Sequence, residues 1–333
     1  MMKETSKKAR PRRASPSYPK PTGGEGLLIS ADSPDLEAFL PDELRALPNA
    51  QTTVPRIARD PTMTARIEAV LPDLPTHHDL HLGDARELDF LAPESVQLVV
   101  TSPPYWTLKE YRRVEGQLGF VADYEEFLDQ LDRVWRHCHR ALVPGGRLVC
   151  VVGDVCLSRR RIGFDNVAMI IWNKIANACY EVENGSSFLG KPYEPNAVVK
   201  NDIEYLLMQR KPGGYRNPTF AARVLSVISA ENHQKWFQQI WSGVTGASTR
   251  SHPAPFPLEL AERLIRMFSF VGDTVLDPFA GTATTNIAAA RCGRHSMGVE
   301  IDPVYMAMAH RRLAEETGTL FSRATVRLHG AAA

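Results

Sequence analysis

The chain has little cysteine and no long apolar run, and each shortage closes off a class of protein. Five cysteines stand among its 333 residues, at Cys138, Cys150, Cys156, Cys179 and Cys292. Their number is odd, their spacing irregular and no two form a Cys-x-x-Cys pair, so neither a disulfide framework nor a zinc site is expected. No apolar stretch approaches the roughly 18 residues of a membrane span, and the N-terminus lacks the apolar core of an export signal. A membrane is therefore no expected partner, and a cytoplasmic location is expected. The Gly-x-Gly-x-x-Gly fingerprint is missing too, which sets aside a nicotinamide dehydrogenase.

Net charge is also small, at +1, but it is unevenly spread. Residues 1–20 carry Lys3, Lys7, Lys8, Arg10, Arg12, Arg13 and Lys20 against Glu4, so everything after them is net acidic. This segment is rich in proline and serine and has no apolar period, the signature of a solvated tail. Residues 1–60 read as a basic, unstructured arm and lead-in, with short helical stretches at Asp35–Leu47 and, just beyond, Pro61–Leu71.

What is present from Asp79 onward is an alternation of strands and helices, the pattern of a parallel sheet. Short strands are expected at Asp79–Leu82, Val96–Val100, Leu148–Val152, Ile203–Gln209, Thr274–Leu276 and Met297–Glu300. Between Tyr124 and Leu142 apolar residues recur every three or four positions, giving an amphipathic helix capped by Asp123 and stopped by Pro144-Gly145-Gly146. Helices are also expected around Ile170-Ile171-Trp172, from Pro257 to Phe268, up to Arg291, and from Val304 to about Glu316. Between residues 213 and 250 periodicity fades.

Two strand ends carry unusual chemistry. The buried strand Val96–Val100 runs into Thr101-Ser102-Pro103-Pro104-Tyr105-Trp106, where two prolines forbid continuation as strand or helix. Their fixed φ holds the Ser102 hydroxyl and nearby carbonyls in one geometry, beside the flat faces of Tyr105 and Trp106, which suits a flat substrate bearing an amino group. Near the C-terminus the strand Thr274–Leu276 leads into Asp277-Pro278-Phe279-Ala280-Gly281-Thr282 and then a helix, a unit whose backbone N–H groups can hold a polar ligand. Glu300 follows nineteen positions after Gly281, the placement of an acid that takes ribose hydroxyls.

Ser102-Pro103-Pro104-Tyr105 resembles the catalytic motif of DNA methyltransferases that modify exocyclic amino groups with S-adenosyl-L-methionine. The cofactor loop comes after this motif, which resembles the β class of that family and implies an α/β fold: a circularly permuted Rossmann-like methyltransferase sheet, helices on both faces and a small target-recognition insertion. Strands one and two would come from the C-terminus, and strands three and four from the segments around Asp84 and Ser102. The expected division is residues 75–212 for the catalytic half, 213–250 for target recognition and 251–320 for the cofactor half. The resemblance implies catalytic roles for Ser102, Pro103, Pro104 and Tyr105. It implies that Asp277, Phe279, Ala280, Gly281 and Thr282 line the methionine end of the cofactor, that Glu300 holds the ribose, and that Asp84 and Ala85 meet the adenine. His252-Pro253 and the residues after them look like the methionine-binding segment. Ala283 departs from a second glycine common in the family, and its Cβ is expected to crowd the ligand.

No cysteine follows a proline, which closes the cytosine-C5 route. Serine in the first motif position, with His252-Pro253-Ala254-Pro255-Phe256-Pro257, resembles cytosine-N4 enzymes more than adenine-N6 enzymes. The implied activity is site-specific methylation of the cytosine N4 amino group in double-stranded DNA, by base flipping and direct in-line transfer. Adenine-N6 methylation is the alternative and a catalytically inactive DNA-binding protein a more distant one. Trp106, Lys191, Asn196, Arg216, Gln234 and Lys235 are the candidate DNA contacts, since Arg, Asn and Gln can read base edges. A cognate restriction endonuclease and a homodimer are compatible with the family and fixed by no residue.

Overall fold

The computed structural model describes residues 35–45, 49–153, 163–174, 203–247, 253–320 and 322–330. Lys191, Asn196, His252 and the basic residues of the tail lie outside them.

The chain builds its sheet from β1 (His77–Leu82), β2 (Val96–Thr101), β3 (Leu142–Val152), β4 (Asp165–Asn173), β5 (Ile203–Arg210), β6 (Ile240–Trp241), β7 (Thr274–Asp277), β8 (His295–Glu300) and β9 (Thr325–His329). The described strands lie in the order β6-β4-β5-β3-β2-β7-β8-β1-β9. All neighbours are parallel except β5, which runs antiparallel to β3 and β4. The C-terminal strands β7 and β8 thus sit between β2 and β1, the permuted order expected from the sequence.

Alternation of side chains along each strand puts apolar residues on both faces, so both must be covered. Val99, Leu148, Cys150 and Val152 pack against Phe127, Leu131, Val134 and Trp135 of α4 (Tyr124–Ala141). Leu98, Val100, Val149, Val151 and Val275 pack against α7 (Leu258–Phe268) and α8 (Thr284–Arg291) on the other face. Leu80 of β1 meets Met306, Ala309 and Leu313 of α9 (Pro303–Thr317). Asp123 caps α4 by accepting from the Glu126 N–H at 2.8 Å.

Several expectations are corrected. The run Ile170-Ile171-Trp172 is strand β4, not helix; Ile170 and Trp172 are buried while Val167 and Met169 are exposed, a period of two. A short β-branched apolar run does not distinguish the two by period alone. Helix α4 ends before Pro144-Gly145-Gly146, which lie inside β3. Strand β9 was not expected because Arg327 and His329 interrupt its short apolar pattern, yet Val326 and Leu328 pack under α9.

The described part of the lead-in is folded. Helices α1 (Asp42–Arg45), α2 (Ala50–Ala58) and α3 (Pro61–Val70) bury Leu44, Ile57 and Ile67 against Ala221, Val224 and Leu225 of α5 (Phe220–Leu225). Pro55 inside α2 and the β-branched Thr52-Thr53-Val54 mask that helix in the sequence. The 213–250 segment contains α5 and α6 (Ala230–Trp236), capped by Thr219 and Ser229, and the edge strand β6.

Candidate active site

The order of strands reverses between β2 and β7, and ligands bind at the carboxyl ends of strands at such a switch point. Because Leu98 pairs with Val275 and Val99 with Leu276, the Ser102 turn and the loop after Asp277 emerge side by side. Asp277 ties them together. Its carboxylate accepts from the Thr101 hydroxyl at 2.6 Å, the Thr285 hydroxyl at 2.7 Å and the Phe279 N–H at 3.0 Å. Burial nevertheless raises its pKa to about 6, against the lowering by those three bonds. Asp277 lies beneath the cleft and positions its walls.

A cleft of about 570 Å³ opens above this junction, lined by Asp84, Ala85, Ser102, Pro104, Phe279 and Glu300, together with Tyr111, Gln117, Ile301 and Tyr305. Glu300, at the end of β8, accepts from the Gly281 N–H at 2.8 Å and the Asp302 N–H at 2.9 Å, one bond to each oxygen. Burial dominates and lifts its pKa to about 7, with the charges of Asp302 and Asp277 adding to the rise and the two N–H bonds opposing it. Each oxygen keeps a lone pair for a further donor. Asp84 accepts from the Arg86 N–H at 2.8 Å and from its guanidinium at 2.9 Å. Burial pushes this carboxyl up, but the bonds to Arg86 outweigh it and hold it below the ordinary range.

The remaining cofactor-loop residues divide. Ala280 is buried and donates to the Val299 carbonyl, and Gly281, at φ 53°, needs the left-handed region glycine enters without strain. The Thr282 hydroxyl accepts from Arg312 at 2.6 Å, turning toward α9. Ala283 corrects an expectation: it is left-handed at φ 66°, but it is fully buried among Leu80, Ile287 and Met306, and so packs in the core instead of crowding a ligand. That packing offsets the roughly 1–2 kcal/mol of the left-handed backbone.

A second cleft, of about 950 Å³, meets the first at Ser102 and Ala254. Its lining includes Tyr105, Lys109, Gly153, Trp172, Lys174, Glu204, Pro253 and Phe256. The Ser102 hydroxyl lies 3.1 Å from the Val151 carbonyl and 3.5 Å from the Tyr105 hydroxyl. The Tyr105 N–H donates to the Tyr111 hydroxyl at 2.9 Å, which anchors the turn. Pro103 is buried.

Trp106 is turned away from both clefts. Its indole donates to the Val121 carbonyl at 2.7 Å and meets Tyr124 edge-on, and it takes a left-handed backbone at φ 47°. Arg216 is likewise committed inside the molecule, since its guanidinium grips both oxygens of Asp273 and lies over Phe270. A fork already spent on a carboxylate is not free to read a base. Gln234 and Lys235 do stand on an exposed face of α6, where Lys235 pairs with Glu231 at 2.6 Å. Replacing Arg216 with alanine is expected to cost on the order of 2 kcal/mol of stability, discounted for its partial exposure, without changing ligand specificity. Thermal unfolding beside a substrate-specificity assay checks both.

Tyr111, Gln117, Tyr305, Lys174 and Glu204 were not expected as lining. Glu204 alone left a trace, a charge interrupting the apolar run of β5. Among the described residues no cluster could hold a metal ion, and no helix is long and apolar enough to cross a membrane.

A doubly wound sheet with a cofactor-sized cleft at its switch point, opening at one serine into a second cleft, defines a Rossmann-like group-transfer enzyme. Residues 96–311 match the N6/N4 family described as DNA methylase, and the chain belongs to that family. It is 35% identical to the type II methyltransferase M.MjaI of Methanocaldococcus jannaschii over 278 residues, 69% of this chain and 89% of that one. It is 29% identical over 257 residues to the DNA adenine methyltransferase YhdJ of Escherichia coli, 69% of this chain and 81% of that one. Among solved structures, the DNA modification methylase TTHA0409 of Thermus thermophilus, complexed with S-adenosyl-L-methionine, superposes with a TM-score of 0.61 at 48% identity, covering 77% of this chain and 99% of that one. The cytosine-N4-specific PvuII methyltransferase shares the fold, with a TM-score of 0.50 at 18% identity over 78% of this chain and 99% of that one.

Proposed function

We propose that this DNA methyltransferase moves a methyl group from S-adenosyl-L-methionine to the N4 amino group of cytosine in double-stranded DNA, at a specific site, with the base flipped out of the helix. The observation that carries the reading is that Ser102 lines both clefts. A donor in one cleft and an acceptor base in the other would face each other at its hydroxyl.

The first cleft fits the cofactor. Glu300 retains acceptor capacity for ribose hydroxyls, Asp84 and Ala85 offer an acceptor and an apolar wall to the adenine, and Phe279 to Gly281 with Pro253 and Ala254 border the methionine end. When bound, the cofactor supplies an electrophilic sulfonium methyl. The protein's own groups prepare the nucleophile. The amino lone pair of cytosine is delocalised into the ring, and hydrogen bonds from the amino hydrogens to the Ser102 oxygen and the Pro103 carbonyl favour a tetrahedral nitrogen that releases it. Tyr105 supplies a stacking face for the flipped base, which an intact duplex would keep out of reach. Alignment of the two reactants provides most of the acceleration, with no covalent enzyme intermediate.

Sequence reading is assigned to the 213–250 segment. Its chain runs into the second cleft, where Trp241 pairs in register with Trp172 and the Gly246 N–H donates to the Lys174 carbonyl, and its exposed Gln234 and Lys235 offer a base reader and a phosphate contact. Kinship with type II methyltransferases supports a restriction-modification setting. Serine at position 102 favours cytosine-N4, while the E. coli relative named an adenine methyltransferase favours the adenine-N6 reading. Incubation with tritium-labelled S-adenosyl-L-methionine and duplex DNA is expected to place label in the DNA. Cofactor binding without any transfer, across DNA of varied sequence, would favour an inactive DNA-binding protein.

The raised pKa of Glu300 gives a pH dependence. Its folded value of about 7 lies above its ordinary 4.5, so its contribution to the stability of the ligand-free protein is full below about pH 4.5 and is lost as pH rises through 7. The loss is on the order of 3 kcal/mol. Glu300→Gln is expected to flatten this part of the profile, read from thermal melts between pH 4.5 and 8. Because the ionised carboxylate is the better acceptor, S-adenosyl-L-methionine binding is expected to tighten over the same range and to release protons, measurable by calorimetry in buffers of different ionisation enthalpy.

A further inference from the structure

The second cleft holds an ion pair that the transfer described above does not use. Lys174 follows β4 and Glu204 is the second residue of β5, and the antiparallel pairing of these strands brings them to 2.8 Å. Both line the cleft with Ser102 and Tyr105, and the Glu204 side chain is only 16% exposed. Lys174 supplies the counter-charge that a half-enclosed carboxylate needs.

Glu204 also stands beside the Tyr105 hydroxyl. Burial first, and the negative charge of Glu204 second, hold that phenol well above its ordinary pKa, so it stays a neutral O–H. A carboxylate only accepts hydrogen bonds, and a hydroxyl next to one turns its hydrogen toward it and its lone pairs away. Those lone pairs then face Ser102, which has a single hydrogen and two acceptors for it, the Tyr105 oxygen at 3.5 Å and the Val151 carbonyl at 3.1 Å.

We propose that Glu204 is a positioning residue for methyl transfer: through the Tyr105 hydroxyl it fixes the direction of the hydrogen bonds, so that Ser102 offers the target amino group a lone pair and not a hydrogen. The inference rests on the reading of the second cleft as the base site. With Glu204 in place the Ser102 hydrogen is drawn to Tyr105 or Val151, and the serine oxygen is left free to accept from the amino group whose nitrogen must become tetrahedral. Reversed, the chain would aim the serine hydrogen at an amino group that also donates, and the two donors would repel.

Glu204→Gln tests this because the amide is nearly isosteric and can donate to the Tyr105 oxygen, which reverses the chain. The single-turnover transfer rate to DNA is expected to fall by about tenfold or more, the equivalent of one net hydrogen bond or more, with cofactor affinity and DNA KM within about twofold. Glu204→Asp should restore part of the rate. In a Tyr105→Phe background, where the ring still stacks but the link is gone, Glu204→Gln is expected to have no further effect. The Cζ resonance of Tyr105, assigned by comparison with Tyr105→Phe in ¹³C-tyrosine-labelled protein, should shift in Glu204→Gln without any DNA present. An unmoved resonance, an unchanged transfer rate, or an equal loss in the Tyr105→Phe background would each overturn the proposal. An unmodified protein inert on all DNA would overturn the reading of the cleft and this inference with it, whereas an active protein indifferent to Glu204→Gln overturns only the latter.

Discussion

Replacing Ser102 with alanine is expected to lower the single-turnover methyl-transfer rate by about a hundredfold, the scale seen when a hydrogen bond aimed at developing charge is removed. The affinity for S-adenosyl-L-methionine should stay within about twofold, because the hydroxyl contacts Val151 and Tyr105, and the binding groups of the cofactor cleft stand on other elements. The substitution removes no buried anchor of the turn, which is held by the Tyr111 hydroxyl on the Tyr105 N–H and by Thr101 on Asp277. Rapid-quench kinetics with labelled cofactor measure the rate, and calorimetry the affinity. Near-normal transfer in this variant would remove Ser102 from the reaction.

The second large effect is expected at Glu300. Replacement by alanine should weaken cofactor binding by at least about a hundredfold, since ribose contacts to an ionised acceptor are worth on the order of 1.5–3 kcal/mol each. Two further costs follow from the geometry. The Gly281 and Asp302 N–H groups lose their shared acceptor, and the loop from Asp277 to Thr282 loses its tie to the end of β8. Gly281→Val should act differently, by forcing a β-branched side chain into a left-handed backbone and blocking close approach of the ligand. A folded variant with full affinity, in either case, would take the C-terminal unit out of the site.

Sequence reasoning reached the strand-end features because their chemistry is local. Pro103-Pro104 ends a strand wherever it occurs, and a strand followed by a small-residue loop and a helix keeps its form in any context. The strand order could be read because the cofactor-type loop follows the Ser102 turn in the chain, and the pairing of β2 with β7 bears that out. Long-range partners were not legible. Lys174 and Glu204 meet only because two strands run antiparallel, and Arg216 finds Asp273 across 57 positions of sequence. Nothing local distinguishes an arginine that reads a base from one that grips a carboxylate. Trp106 shows the same ambiguity, since an aromatic after a turn can face a substrate or, as here, Val121 and Tyr124.

The cleft pair around Ser102 is read as the place where a cytosine amino group meets the methyl donor, and the product nucleoside reports on that directly. DNA carrying many candidate sites would be incubated with the purified protein and methyl-labelled S-adenosyl-L-methionine, digested to nucleosides and resolved by mass spectrometry. The expected result is label in N4-methylcytosine alone, lost in Ser102→Ala. Label in N6-methyladenine alone would contradict the base assignment, and unlabelled DNA would contradict the activity itself.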